Sequence, residues 1–153
     1  MSMLQWIKGL IEDEHAVHTP PPDTIHQHEE EAGGLNFKTA IDAHLSWKHR
    51  LTDFINGKLD EKLDHETVSH DHNCALGKWI YGEGEAHYGQ NPLFQQLKQT
   101  HQQFHHCAGK IILEVDKGNH KQASSMIADG DYPLISTRVT SQLAQLYLQF
   151  KNT

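Results

Sequence analysis

The chain has 153 residues, enough for one domain and short for two. Its 13 basic and 20 acidic residues give a formal net charge of −7, which argues against a binder of nucleic-acid backbone. The hydrophobic fraction of 37% is at the lower edge for a globular chain, and no stretch of about 18 uncharged apolar residues is present, so no membrane span is expected.

The opening MSMLQWIKGLIEDEH turns acidic within its own length and lacks a small-residue cleavage site, so it does not read as a signal peptide. A cytoplasmic chain is the expectation. Two cysteines, Cys74 and Cys107, are too few for a disulfide framework. Histidine is the outlier: there are 14, against 13 Lys and Arg together. Such an excess points toward metal or proton chemistry.

Residues 1–36 carry one Lys and seven acids, whereas residues 37–153 carry twelve bases and thirteen acids. The acidity therefore belongs to an N-terminal extension, and the expected division is 1–36 and 37–153. Met3, Leu4, Ile7, Leu10 and Ile11 recur at helical spacing, so a short amphipathic helix is predicted over 3–14, either packed back on the domain or docked on a partner. Thr19-Pro20-Pro21-Pro22 ends it, and residues 15–36, closing on Gly33-Gly34, read as an acidic linker.

Asn36 is a plausible N-cap for a helix whose stripe is Phe37, Ala40, Ile41, His44, Trp47, Leu51, Phe54 and Ile55. Asn56-Gly57 stops it. The polar stretch 58–73 reads as mostly loop, and Cys74–Tyr81 as a short helix closed by Gly82 and Gly84. Asn91-Pro92 opens a long helix with Phe94, Leu97, His101, Phe104, His105, Ala108, Ile112 and Val115 on one stripe, ended by Gly118. Asn119 caps a shorter helix that buries Ala123, Met126 and Ile127. Asp131 and Pro133 start the last helix, with Ile135, Val139, Leu143, Leu146 and Phe150 inward. No segment alternates as a strand. The predicted fold is all-α: an antiparallel four-helix bundle with an additional short helix carrying Cys74.

His44, His101 and His105 occupy stripe positions where apolar residues belong. His101 and His105, four apart, project from one helix face and can reach a single ion. Burying three neutral imidazoles requires three sets of partners, and burying them charged costs more. A shared cation answers all three. Cys74 is the best candidate for a fourth ligand, because the start of a short helix favours a thiolate. One sulfur and three imidazoles form a zinc-type donor set that disfavours Mg²⁺ and Ca²⁺; iron(II) or cobalt would bind more weakly.

Other residues read more blandly. Trp47 and Trp79 are packing residues. Cys107 lies about 200° around the helix from His105 and does not share the ion. Asp53 is a solvated carboxylate. His65, His70 and His72 belong to a solvated loop rather than a second, weak metal site. Gly77-Lys78 is followed by Trp, so no phosphate loop is indicated.

Three segments in register resemble the chemoreceptor zinc-binding (CZB) domain family. They are His44-Leu45-Ser46-Trp47, Cys74-Ala75-Leu76-Gly77-Lys78-Trp79-Ile80-Tyr81-Gly82, and His101-Gln102-Gln103-Phe104-His105. They match its H-x-x-W, C-x-x-G-x-W and H-x-x-x-H motifs in order and approximate spacing, over roughly residues 37–152. The resemblance implies a four-helix bundle, usually a homodimer, holding one zinc through His44, Cys74, His101 and His105. It also implies regulation of a signalling module, such as a chemoreceptor or a diguanylate cyclase. Some members sense zinc, and in others the zinc-bound Cys reacts with hypochlorous acid. No output module accompanies these motifs, so action in trans on a separate partner is expected. The leading expectation is thus a non-enzymatic zinc-dependent sensor; the alternative is an interaction module with a purely structural zinc. A catalytic zinc is disfavoured by four protein ligands and the lack of HExxH, and a di-iron site by stripes without carboxylates.

Overall fold

The computed structural model describes residues 30–152, so the helix predicted over 3–14 and most of the acidic linker lie outside the described residues. The described chain is mostly helical. It begins with a small antiparallel hairpin, β1 (Glu31–Ala32) and β2 (Leu35–Asn36), in which Ala32 faces Leu35. Gly33 and Gly34 form its two-residue turn with φ of 58° and 83°. Both angles lie in the left-handed region, where a side chain is strained, so this turn selects Gly-Gly. The linker reading missed the hairpin because two residues per strand are too short for any alternation to register. It is held from outside: the Trp79 indole N–H donates to the Gly33 carbonyl at 2.9 Å, and Leu35 is buried.

Helix α1 (Phe37–Ile55) starts directly after β2. The Asn36 side chain accepts from the Thr39 N–H at 2.9 Å, as an N-cap should. Phe37, Ala40, Ile41, His44, Leu51 and Ile55 are buried, while Trp47 and Phe54 sit half-buried at the margin. The stretch read as loop contains a further helix, α2 (His65–Ser69). Its five residues bury none of their own side chains, so no apolar stripe announces it. The cap was there to be read: Asp64 accepts from both the N–H and the hydroxyl of Thr67, at 3.0 and 2.7 Å.

Helix α3 (Ala75–Trp79) is followed by a π-helical turn, Ile80–Gly84, kinked at Gly82, and by the short α4 (Glu85–Tyr88). Helix α5 (Pro92–Asp116) is capped by Asn91, whose side chain accepts from Leu93 and Phe94 N–H. Helix α6 (His120–Ala128) starts at Asn119, but the Asn119 side chain donates to Glu114 at 2.8 Å instead of capping. Helix α7 (Asp131–Lys151) completes the chain.

Helix α5 is the axis of the structure. It packs along α7 on one side and α2 on another; α1 lies against α7, and α6 touches α1, α5 and α7. Phe94, Leu97, Phe104, Ala108, Ile111 and Ile112 of α5 meet Ile41, Leu51, Val139, Leu143 and Leu146 in one continuous apolar core. His44, His101 and His105 interrupt that core. Near the hairpin it is aromatic, with Phe37 packed edge-on against Trp79 and Phe150.

Gly109 allows α2 to lie on α5. A Cβ there would overlap the Ser69 hydroxyl and approach the His65 carbonyl at 3.0 Å. The Ser69 hydroxyl donates to that same carbonyl, so neither group yields alone. Gly109→Ala is therefore expected to destabilise the fold by about 1–3 kcal/mol through overpacking. Urea unfolding measures this; an unchanged midpoint would refute the close approach.

Candidate metal centre

Three elements bring four side chains together. His44 comes from the middle of α1, His101 and His105 from successive turns of α5, and Cys74 is the N-cap of α3. Their ligand atoms all lie within 4.8 Å of one another. The Cys74 Sγ is 3.3 Å from the His101 Nε2. Ring centroids are 5.0 Å apart for His44 and His101, 4.5 Å for His101 and His105, and 5.8 Å for His44 and His105. Around a tetrahedral zinc the donor atoms would stand roughly 3.3–3.6 Å apart, given bonds of about 2.0–2.3 Å.

The histidines are 2%, 0% and 3% exposed, respectively, for His44, His101 and His105. Burial pushes His44 down to about 4 and His101 to about 2, with neighbouring imidazoles adding to both shifts. His105 is lowered by burial too, against the opposing pull of its bond to Val68 and of Asp71. All three rings are thus neutral at pH 7, each with one nitrogen lone pair available.

Hydrogen bonds decide which nitrogen that is. His44 Nδ1 is 2.7 Å from the Ala40 carbonyl, and His105 Nδ1 is 2.9 Å from the Val68 carbonyl. A carbonyl only accepts, so both Nδ1 atoms carry the proton and donate. The Nε2 lone pairs of His44 and His105 then face inward, and both atoms are buried without a hydrogen-bond partner. Buried polar atoms left unsatisfied cost about 1–3 kcal/mol each. A soft cation at the centre would satisfy them, and the donor set suits zinc.

Cys74 departs from the sequence expectation in one respect. Its sulfur does accept from the Gly77 N–H at 3.4 Å at the start of α3. Burial nevertheless raises the thiol above its ordinary value, outweighing the helix N–H groups, and Asp71 adds to the rise. The helix start alone does not generate a thiolate; a bound cation would. Gly77 admits this geometry, because a Cβ there would overlap the Asp71 carbonyl oxygen. Cys74 remains half-buried, and a cavity of about 390 Å³, bordered by Trp47, Arg50, Leu63 and Val68, reaches both Cys74 and His105.

The remaining candidates stay outside the cluster. Trp79 is core and Trp47 lies under the Arg50 guanidinium, 4.1 Å from ring centroid to carbon. Asp53 faces His49 at 3.6 Å on the α1 surface. His65 approaches Asp116 at 3.8 Å, and His72 stacks on Tyr81 at 4.4 Å. Among the described residues, neither they nor His70 form a second metal-type group. Cys107 is half-buried and free, its thiol raised by burial. Sequence reasoning missed Asp71. Its carboxylate is 2% exposed, accepts from the Tyr81 hydroxyl at 2.7 Å and lies 3.8 Å from His101 Nδ1. Nothing in its local sequence marks it out, because its burial against His101 arises only when α5 packs over it.

The neutral imidazoles set a pH dependence. Unfolding frees each ring to take up a proton below its ordinary value of about 6.5. The metal-free protein should therefore keep full stability above pH 6.5 and lose it as pH falls toward the folded value of about 4 for His44. Denaturant titrations of chelator-treated protein at several pH values measure this, and a flat profile across that window would contradict it.

Residues 44–112 match the family model described as the chemoreceptor zinc-binding domain. The matched segment begins at His44 and contains Cys74, His101 and His105. Neither the curated proteins nor the solved structures compared with the chain gave a match. The converging His and Cys side chains and the family match lead to one conclusion: residues 44–112 are a chemoreceptor zinc-binding domain, and its cofactor is zinc.

Proposed function

We propose that His44, Cys74, His101 and His105 together hold one zinc ion, and that the protein is a non-enzymatic regulator responding to zinc or to oxidants such as hypochlorous acid. The observation that carries this reading is the convergence of one sulfur and three imidazoles within 4.8 Å, two of them with buried, unpartnered Nε2 atoms. The match to a zinc-binding signalling family supports it.

The site draws on α1, α3 and α5, so metal occupancy bears on how three segments pack. Structural zinc contributes about 10–16 kcal/mol in small peptide sites, against a total domain stability of about 5–15 kcal/mol. One ion is enough to decide the conformation. Hypochlorous acid would oxidise the Cys74 sulfur by two electrons, leaving a sulfenic acid and releasing chloride. A sulfenic acid is a poorer donor than a thiolate, so oxidation would loosen the ion. The half-burial of Cys74 beside a cavity favours this over a purely structural zinc, whose sulfur needs no access.

In this reading α1, α5, α6 and α7 form an antiparallel four-helix bundle over 37–153, set apart from the acidic N-terminal segment 1–36. The protein works in the cytoplasm as a homodimer. It acts in trans on a signalling partner of the chemotaxis or cyclic-di-GMP type, such as a chemoreceptor or diguanylate cyclase.

Cys74→Ala is expected to abolish stoichiometric zinc at low free zinc while the wild type retains one ion per chain; zinc retained by the variant would overturn the ligand assignment. Hypochlorite should release zinc from the wild type and change its near-ultraviolet circular dichroism. If chelation yields a folded but altered protein, sensing stands. Global unfolding on chelation would favour the structural-zinc alternative.

A further inference from the structure

The three histidines of the centre differ in what their outer nitrogens face. His44 Nδ1 meets the Ala40 carbonyl and His105 Nδ1 meets the Val68 carbonyl, at 2.7 and 2.9 Å. His101, the most deeply buried, has no hydrogen bond at Nδ1. That atom instead lies 3.8 Å from Asp71 Oδ2. Asp71 is itself buried, a rare place for a carboxylate without a charged partner.

Asp71 is held from three sides. Oδ2 accepts from the Tyr81 hydroxyl at 2.7 Å, and Oδ1 lies 3.5 Å from His72 Nδ1. The His72 ring stacks on Tyr81, with planes 17° apart, and the Lys98 ammonium stands 5.1 Å from the Tyr81 ring centre. The Asp71 carbonyl oxygen, 3.8 Å from Cys74 Sγ, packs against Gly77. One residue thus borders both His101 and Cys74.

We propose that Asp71 is a positioning residue of the metal centre, fixing His101 with its proton on Nδ1 and its Nε2 lone pair toward Cys74. This rests on the four-residue zinc reading above. The charge count explains why a carboxylate stands here rather than a third carbonyl. A divalent cation with one thiolate and three neutral imidazoles leaves one positive charge buried, and Asp71 neutralises it. A carboxylate behind a ligating imidazole also sets its tautomer and raises its basicity. Tyr81 keeps the carboxylate aimed, and because Tyr81 is exposed at the kink after α3, the network links the centre to the surface.

The test uses full-length wild type, Asp71→Asn and Tyr81→Phe, checked for folding by circular dichroism. Zinc affinity is read by competition with a chelator, and His101 is read by ¹⁵N imidazole NMR of the metal-free proteins. Asp71→Asn should bind zinc about 10–100-fold more weakly and shift His101 away from the Nδ1–H form. Tyr81→Phe should move both readouts in the same direction by less. Wild-type affinity in Asp71→Asn overturns the inference. So does lost affinity with an unchanged His101 tautomer, since structural loosening alone would do that. If Asp71→Asn does not fold, unchanged readouts in a folded Tyr81→Phe overturn it. Zinc that survives Cys74→Ala would instead defeat the underlying ligand reading, whereas wild-type zinc lost in Cys74→Ala but kept by Asp71→Asn defeats only the role of Asp71.

Discussion

Three neutral imidazoles are buried where an apolar core would otherwise close, and two of them aim lone pairs at nothing the polypeptide supplies. That is the constraint on which the rest of the structure depends. The backbone spends two carbonyls, those of Ala40 and Val68, on orienting these rings. An ordinary core would fill the same volume with Leu or Phe and lose no hydrogen bonds. Retaining the imidazoles makes physical sense when a cation completes them, and in the proposed centre the half-buried Cys74 sulfur would supply the negative charge.

The surrounding fold serves that geometry. Helix α2 contributes no buried side chain of its own, yet its Val68 carbonyl orients His105, and Gly109 is the gap that lets it approach. Gly77 plays the same part for α3, admitting the Asp71 backbone close to the helix that Cys74 caps. The other end of α3 is Trp79, whose indole holds the hairpin turn at Gly33. Eight residues after the hairpin comes His44. The site and the root of the N-terminal extension therefore share one short helix, so repacking α3 would reach residues 31–36.

Much of this was legible from residue patterns. The stripes of α1, α5, α6 and α7 carry strong 3.6-residue periodicity, and the three histidines stand out because they break it chemically without breaking it geometrically. The caps at Asn36 and Asn91 and the proline at 92 fixed two helix starts. What escaped has a common cause. The hairpin and α2 are two to five residues long, shorter than the window over which periodicity accumulates. Asp71 looked like one more polar residue in a polar stretch, because nothing local distinguishes a buried carboxylate from a solvated one. Its role depends on α5 bringing His101 to it from thirty residues away. The net upward shift of the Cys74 thiol escaped for a related reason: the helix N-terminal N–H groups that lower it are visible in sequence, whereas the burial that outweighs them is not.

The proposed regulator rests on zinc reaching all four side chains at once. Zinc K-edge absorption on the purified full-length protein tests that most directly. The account predicts a four-coordinate shell of three nitrogen scatterers at about 2.0–2.1 Å and one sulfur at about 2.3 Å. A shell containing only nitrogen and oxygen, or a protein that carries no zinc, would contradict it.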